Sequence, residues 1–262
     1  MTLLISMCTK KGIFMIADSL IVKDNYDTNI AEKNTEKIIV LEEPKVCLSF
    51  WGTVGNPKIN FDLDTELEKI KKLVTKDDTI ISISKKLKKH FENSKFMEDD
   101  DQLGFHVSGY DNENSHLHHV FHELWLNDNE FINEDSKAEF HRPLFNQQGS
   151  SCGFQRVKNN NEFPMLFNGD NKIPNLIING IRFFQDKVDF SNFDKNKSKE
   201  FLIFLMNTAI ELQKYSEISS SSGKLINYPL MLCHISPTQI TKEFISRAGI
   251  PFTTLAEASE KI

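Results

Sequence analysis

Residues 1–19 have the sequence MTLLISMCTKKGIFMIADS. Two apolar runs, residues 3–8 and 13–17, flank a Lys-Lys-Gly turn, and this pattern predicts an antiparallel β-hairpin. Residue 2 is a threonine, and we expect Met1 to be removed, because methionine aminopeptidases accept a small second residue. The new terminus would carry a hydroxyl and a primary amine on one residue, and the amine can take the hydroxyl proton. Thr2 is therefore a candidate nucleophile.

The composition is that of an ordinary globular protein, with 262 residues, of which 39% are hydrophobic and 26% charged. A net charge of −6 argues against a general surface for nucleic acids or for anionic membranes. No run approaches the ~20 apolar residues of a membrane span. The N-terminal apolar run is broken by Lys10 and Lys11 and has no basic segment before it, so we predict no signal peptide. The expected location is the cytoplasm.

The four cysteines show no short paired spacing, which argues against both a disulfide framework and a zinc site. They are Cys8, Cys47, Cys152 and Cys233. Three of them lie in apolar runs typical of strands, where a buried free thiol is expected. Free thiols fit a reducing compartment.

Hydrophobic periodicity predicts the remaining elements. Further strands are expected at residues 38–41, 46–50, 104–110, 116–125, 230–235 and 239–245, and helices at 63–74, 80–91, 177–188 and 201–215. Residues 23–36 are predicted to be a polar connector, and residues 98–101 and 158–172 to be loops. This order suits an α+β fold, a four-layer αββα sandwich of two antiparallel sheets between helical layers. No repeat or linker is visible, so one domain is predicted for residues 1–262.

Several segments together resemble proteasome β-type subunits, which are N-terminal-nucleophile hydrolases. They are Thr2, ADS at 17–19, IAEKNTEKI at 30–38, the strand that ends in Gly52, GFHVSGYD at 104–111, QGSS at 148–151, and SG at 222–223 with the strand at 230–235. The direct Met-Thr start, with no propeptide expected before it, is closest to the bacterial single-type proteasome homologues. Residues of about 158–200 are an enlarged region without a clear counterpart.

The resemblance implies a role for each residue of a catalytic site. The Thr2 hydroxyl would attack a peptide carbonyl, and the α-amine, whose reference pKa is ~7.7–8.0, would shuttle the proton. Lys37 would lower the pKa of that hydroxyl, and Asp18 would hold Lys37 in place. The Gly52 N–H would lie in the oxyanion hole, and the Ser150 hydroxyl would bond the terminal amine.

The resemblance also implies two substrate-binding residues. The backbone of Val22 would hold the substrate as an added strand, and Phe50 would form the floor of the specificity pocket, where a ring favours small side chains. The chain departs from the family pattern at three places. Leu20 and Val22 stand where the family has a polar residue and a threonine, and Ser219 aligns with a late aspartate.

We interpret the chain as a threonine-type peptidase or amidase, a hydrolase that acts through an acyl-enzyme ester and needs no cofactor. Peptides or unfolded proteins are the expected substrates, and an unfoldase is a candidate partner. Homo-oligomers are expected to form through the outer helices at 63–91, with 175–215 as a second candidate region. Two alternatives are a non-catalytic assembly or binding subunit with the same fold, and an amidase for a small non-peptide substrate.

Four histidines crowd one predicted strand, at positions 116, 118, 119 and 122. His116 and His118 share a face of the strand, where they could bind a transition metal. No carboxylate or fourth ligand is placed beside them. A solvated or partly packed strand face is the favoured interpretation, and no metal site is predicted.

Overall fold

A computed structural model of the chain describes residues 3–9, 11–23, 31–52, 54–56, 61–93, 103–113, 116–125, 153–157, 165–169, 192–215, 226–248 and 250–259. The strands in these ranges are β1 (Leu3–Thr9), β2 (Gly12–Asp18), β3 (Leu20–Lys23), β4 (Ala31–Asn34), β5 (Ile38–Leu41), β6 (Val46–Gly52), β7 (Gly55–Asn56), β8 (Phe61–Asp62), β9 (Leu103–Glu113), β10 (His116–Trp125), β11 (Gly153–Val157), β12 (Met165–Gly169), β13 (Leu230–Ile235), β14 (Ile240–Ile245) and β15 (Pro251–Phe252). The helices are α1 (Leu63–Leu73), α2 (Ile80–Asn93), α3 (Lys195–Gln213) and α4 (Leu255–Ser259). The chain divides into two compact units, Met1–Ile39 with Phe163–Ile262, and Val40–Glu162.

The first unit is built on an antiparallel sheet with the strand order β12-β1-β2-β13-β14-β15. Its β1–β2 hairpin confirms the hairpin predicted from residues 1–19, and the pairing closes with Thr9 opposite Gly12. Gly12 has a φ of +138°, and a Cβ atom there would lie 2.5 Å from the carbonyl oxygen of Ile235. Only glycine fits this turn. The hairpin brings Asp18, at the end of β2, beside the start of β1.

Helix α3 packs on one face of this sheet. Asp194 caps its N-terminus, where the carboxylate accepts a 2.8 Å hydrogen bond from the Lys197 N–H. The shared core includes Leu3, Ile5, Met7, Phe14, Ile16, Leu230, Leu232 and Ile245 from the strands, and Leu202, Leu205, Met206, Ala209 and Ile210 from α3. Each fully buried side chain of this size contributes roughly 1.5–3 kcal/mol. Burial of this face is therefore a main stabilising term of the first unit.

Strands β3 and β4 form a separate two-stranded sheet in the first unit, with Leu20 opposite Asn34. The predicted polar connector over residues 23–36 is thus wrong at residues 31–34, which are a strand. The composition of β4 has little intrinsic strand preference, and its pairing with the apolar strand β3 supplies the structure. The Thr35 N–H then donates to the carbonyl of Ser19 at 2.8 Å, which holds the segment after β4 next to the end of β2.

The second unit has a sheet in the order β11-β10-β9-β6-β5 and the helices α1 and α2. Phe105 of β9 stacks on Phe91 of α2 with ring centroids 5.4 Å apart, and meets Phe50 of β6 at 6.5 Å. Because side chains alternate along a strand, this face of β6 and β9 is the face that α2 covers. Ser49 and Ser108, on the opposite face, are also buried. Both faces of β6 are therefore buried.

The predicted helices are confirmed wherever they fall in described residues. Helices α1 and α2 match the segments 63–74 and 80–91 within two residues, and α3 begins six residues before the predicted 201–215. The helix predicted at 177–188 lies outside the described residues. Among the described helices, none combines the length and the apolar character that crossing a bilayer requires.

The loop predicted at residues 158–172 is wrong over 165–169. This segment is strand β12, which pairs with β1 so that Leu3 lies opposite Gly169. The run Met165-Leu166-Phe167 is apolar, but neighbouring Asn and Gly residues are typical of turns. The strand forms because the edge of β1 offers unpaired backbone groups, which is information that the local sequence lacks. The loop predicted at 98–101 lies outside the described residues.

Asp78 joins α1 and α2 through four hydrogen bonds from described residues. Its carboxylate accepts from the Thr75 N–H at 2.7 Å, the Thr75 hydroxyl at 3.1 Å, the Ser82 hydroxyl at 2.7 Å and the Lys86 ammonium at 2.6 Å. Lys86 also donates to the carbonyl of Leu73, at the end of α1, at 2.8 Å. Partial burial acts to raise the pKa of Asp78, but these donors, foremost Lys86, outweigh it and lower the pKa to about 2.

We predict that Asp78→Ala lowers the free energy of unfolding of the second unit by about 1–3 kcal/mol at neutral pH, because it removes the acceptor of four hydrogen bonds, one of them from the charged Lys86 ammonium. The pKa of Asp78 is depressed in the folded chain. Its contribution to folding stability is therefore complete above pH 3.8 and is lost as the pH falls towards 2. The difference between the variant and the wild type should shrink over that interval in urea unfolding curves. Asp77→Ala, at an exposed neighbour, is the control, and equal losses for both variants would contradict the assignment.

Candidate active site

The described residues hold one fully buried ion pair, between Asp18 at the end of β2 and Lys37 immediately before β5. The Lys37 Nζ atom lies 2.9 Å from Asp18 Oδ2, and neither side chain is exposed to solvent (0% for each). Charged side chains are almost never fully buried unless they are paired. The structure therefore brings together two of the residues that the sequence predicted for the site.

The carboxylate of Asp18 also binds the backbone on either side of the hairpin end. Its Oδ1 atom accepts a 2.9 Å hydrogen bond from the Leu3 N–H, and its Oδ2 atom accepts one of 3.2 Å from the Leu20 N–H. With Lys37 this gives three donors for one carboxylate, which satisfies much of its bonding capacity. Asp18 thus fixes the backbone at the start of β1 as well as the lysine.

Lys37 is held by its main chain as well as by its side chain. The ammonium donates to the Leu20 carbonyl at 2.5 Å, in addition to Asp18, and the Lys37 N–H donates to the Met231 sulfur at 3.1 Å. The neighbouring Glu36 carboxylate binds the ammonium of Lys242 at 2.7 Å on β14. The segment before β5 is therefore attached to four strands of the first unit, β2, β3, β13 and β14.

Burial shifts the pKa values of both partners towards the neutral forms. Desolvation raises the pKa of the Asp18 carboxyl above 3.8, against the attraction and hydrogen bond of Lys37. Desolvation lowers the pKa of the Lys37 ammonium below 10.5, against the charge of Asp18. Opposed shifts of this kind bring the two proton affinities closer together. Perturbed pKa values in buried, paired groups occur more often at functional sites than elsewhere in a protein.

The second unit contains two further predicted residues. Gly52, the last residue of β6, has a φ of +103°, a conformation that glycine adopts without strain. Phe50, two residues earlier, is 1% exposed and packs against Phe105. The backbone of Val22 lies in β3 opposite Glu32, in the first unit.

The other predicted residues lie outside the described residues. These are the nucleophile Thr2, Ser150 and the aligned Ser219. The backbone of the four histidines is in β10, while their side chains fall outside the description. Among the described side chains, no group of three or more His, Cys, Asp or Glu residues could hold a metal ion.

Three partners of the ion pair were missed by sequence reasoning. The Leu3 N–H and the Leu20 carbonyl are backbone groups, so residue type gives no sign of them, and Leu20 was noted only as a departure from the family pattern. Met231 is 194 positions from Lys37. An alternating apolar strand was the only signal around it, and it does not distinguish a sulfur acceptor from an ordinary core side chain.

Comparison with known proteins shows similarity at the level of the fold. No family model matches the chain, and no curated protein matches it. Among solved structures, it is similar to a mutant of Anbu from Hyphomicrobium sp. strain MC1, with a TM-score of 0.54 and 12% identity over 94% of this chain and 88% of that chain. Anbu from Yersinia bercovieri, described as an ancestral β-subunit, gives 0.53 and 10% over 92% and 86%. A further structure of the Hyphomicrobium protein gives 0.53 and 13% over 94% and 88%.

These comparisons confirm the predicted fold class and correct the predicted family. The α+β class with two antiparallel sheets and helices is shown by the structure and by its Anbu neighbours. The assignment to the proteasome β-type subunits as a bacterial single-type homologue is wrong, since no family model matches and an identity of 10–13% shows a fold alone. A β-subunit-like fold is what the chain shares with these proteins.

We predict that Asp18→Asn lowers the free energy of unfolding by about 3–5 kcal/mol, because it leaves the buried Lys37 ammonium without a counter-charge. Without the carboxylate the pKa of Lys37 falls further below 10.5, so the unfolded chain binds more protons than the folded one, and the variant gains stability as the pH rises. The gap to the wild type should narrow in urea unfolding between neutral pH and pH 10.

Glu36→Gln is the matched control for Asp18→Asn, because it breaks the exposed ion pair of the preceding residue with Lys242. Exposed pairs of this kind contribute about 0–1 kcal/mol. The prediction is contradicted if Asp18→Asn lowers the free energy of unfolding no more than Glu36→Gln does, or if its loss does not depend on pH. Either result would show that the buried pair lacks this electrostatic role.

Proposed function

We propose that the chain is a hydrolase of the N-terminal-nucleophile type, in which Thr2 becomes the first residue once Met1 is removed. Its hydroxyl attacks a peptide or related amide carbonyl and forms an acyl-enzyme ester. The observation that carries this proposal is the buried Asp18–Lys37 pair, whose carboxylate also holds the Leu3 N–H at 2.9 Å. The β-subunit-like fold of the Anbu neighbours supports it at the level of architecture.

Covalent connection brings the proposed nucleophile close to this pair. Thr2 is bonded to the nitrogen of Leu3, and consecutive Cα atoms are about 3.8 Å apart. Asp18 binds that nitrogen through one oxygen and Lys37 through the other. The proposal therefore requires that Thr2, which is bonded to Leu3, direct its hydroxyl to the Lys37 ammonium.

Among the described residues, the Lys37 ammonium has fewer acceptors than it has N–H donors. An ammonium has three N–H donors. Within the described ranges, Lys37 Nζ has two acceptors, Asp18 Oδ2 and the Leu20 carbonyl. In the proposal the third donor binds the Thr2 oxygen. A cation that is hydrogen-bonded to the hydroxyl oxygen stabilises the alkoxide form and lowers the pKa of the hydroxyl.

The reaction then proceeds in two balanced steps. The Thr2 oxygen bonds to the carbonyl carbon while its proton passes to the α-amine, directly or through a water molecule. The C–N bond of the substrate breaks, and the leaving amine takes that proton. Water then attacks the ester with the α-amine as general base, which releases the acid and restores the hydroxyl.

The remaining predicted residues keep the roles implied by the family resemblance. We propose that the Gly52 N–H stabilises the oxyanion and that the Ser150 hydroxyl bonds the terminal amine. Phe50 is proposed to restrict the specificity pocket to small side chains. Among the described strands, β4 is the partner of β3. We propose that the backbone of Val22, in β3, holds the substrate as an added strand.

We predict that an epoxyketone, which needs a hydroxyl and an amine on one residue, forms a covalent adduct at Thr2 of the processed chain. Thr2→Ala should abolish adduct formation and peptide turnover with little effect on folding, because it removes a hydroxyl and leaves the Leu3 N–H bond to Asp18. Thr2→Ser, which keeps both groups, should retain both reactions. Intact mass and peptide mapping measure the adduct, and full turnover in Thr2→Ala would refute the mechanism.

We also predict that Lys37→Ala reduces kcat far more than Lys33→Ala, by about 10²–10³-fold, the loss expected when a group that stabilises developing charge is removed. Both lysines flank the same short segment, but the Lys33 backbone lies within β4, whereas the Lys37 ammonium binds Asp18. Rates should be referred to the folded fraction, because Lys37 is buried. Equal and mild losses in the two variants would exclude Lys37 from the site.

A further inference from the structure

Met231 lies on the central strand β13, opposite Ala17 of β2 and Phe244 of β14. Its neighbours Leu230 and Leu232 belong to the core under α3. Because side chains alternate along a strand, Met231 points to the other face of the sheet. Its side chain is fully buried, at 0% exposure.

The sulfur of Met231 has a polar partner, which distinguishes it from an ordinary core methionine. It accepts a hydrogen bond of 3.1 Å from the main-chain N–H of Lys37. The same lysine directs its ammonium to Asp18 at 2.9 Å and to the Leu20 carbonyl at 2.5 Å. The backbone of Lys37 is thus bonded to β13, while its ammonium is bonded to Asp18 at the end of β2.

We propose that Met231 is a positioning residue that sets the location of the Lys37 ammonium by holding its main-chain N–H. This inference rests on the function proposed above, in which that ammonium binds the Thr2 hydroxyl. Thr35, which bonds to Ser19 at 2.8 Å, restrains the same segment from the other side. The Thr35 bond holds the backbone two residues before Lys37, and the Met231 sulfur holds the backbone of Lys37 itself.

A thioether suits this task for two reasons. Sulfur is a weak but real acceptor, so it satisfies the N–H without bringing a charge or a second donor near the buried ion pair. The unbranched, flexible side chain also packs in a buried site as an apolar group would. Leucine would fill a similar volume but would accept nothing, and the N–H would have to move to find another acceptor. Small displacements of a catalytic group are costly in rate.

The test compares Met231→Leu with Met206→Leu, a matched change of a fully buried methionine in the core under α3. Amide hydrogen exchange of Lys37 should become about tenfold faster in Met231→Leu and stay unchanged in Met206→Leu. With a fluorogenic peptide amide, kcat should fall about 10- to 100-fold with little change in KM, and the pH profile of kcat should move. Met231→Ile serves as the second variant if the leucine variant does not fold, since a branched side chain suits a strand.

Each outcome bears on the proposal separately from the proposed function. Unchanged Lys37 exchange in the Met231 variant overturns it whatever the activity. Faster exchange with kcat and pH profile equal to those of Met206→Leu also overturns it and leaves the proposed function intact. If the wild type does not react with an epoxyketone, the proposed function fails. The positioning role of Met231 is then tested by an NMR titration of the Lys37 side chain in both methionine variants. A midpoint moved in Met231→Leu but not in Met206→Leu then supports positioning of the ion pair, and an unmoved midpoint overturns it.

Discussion

The interaction on which this site depends is an ion pair between a lysine and an aspartate that are both fully buried. Taking two such charges out of water costs several kcal/mol for each ion, and the attraction between them offsets this cost only when the geometry is good and the remaining donors and acceptors are satisfied. Asp18 meets that condition through Leu3, Leu20 and Lys37. A buried pair of this kind is weak grounds for stability, and the function proposed above gives it a role in chemistry.

The surrounding fold can be understood as the means of holding that pair. The hairpin fixes Asp18 beside the start of β1, and its tight turn depends on Gly12, where a side chain would collide with the backbone of β13. The β3–β4 sheet returns the chain so that Thr35 bonds to Ser19. Met231 then receives the N–H of Lys37. Contacts far apart in the sequence thus converge on a few atoms of the first unit.

Much of this arrangement was predictable because its pattern is local. The apolar runs on either side of the Lys-Lys-Gly turn determine the hairpin, and helical periodicity determined α1, α2 and most of α3. Asp18 and Lys37 were identified through a resemblance of short segments to a family. Strand β12 and the contact of Met231 with Lys37 were not predictable, since they depend on pairing across more than 150 positions. The family assignment failed because a fold persists at an identity of 10–13%, where membership no longer follows.

The two units also differ in the interactions that stabilise them. In the second unit, buried aromatic rings and the Asp78 network stabilise the packing of helices on a sheet, and ordinary hydrophobic burial accounts for it. In the first unit the same kind of core, under α3, coexists with a fully buried charge pair on the hairpin. The hydrophobic face supplies the stability, and this allows the hairpin end to keep a costly polar arrangement.

The most direct test of the proposed site is an experimental structure of the chain with Thr2 as its first residue. We predict a Thr2 hydroxyl oxygen within roughly 2.7–3.2 Å of Lys37 Nζ, a normal hydrogen-bond distance, with the Asp18–Lys37 and Asp18–Leu3 bonds retained. A Thr2 hydroxyl directed away from Lys37, with the third N–H of the lysine bound to another group, would contradict the central claim.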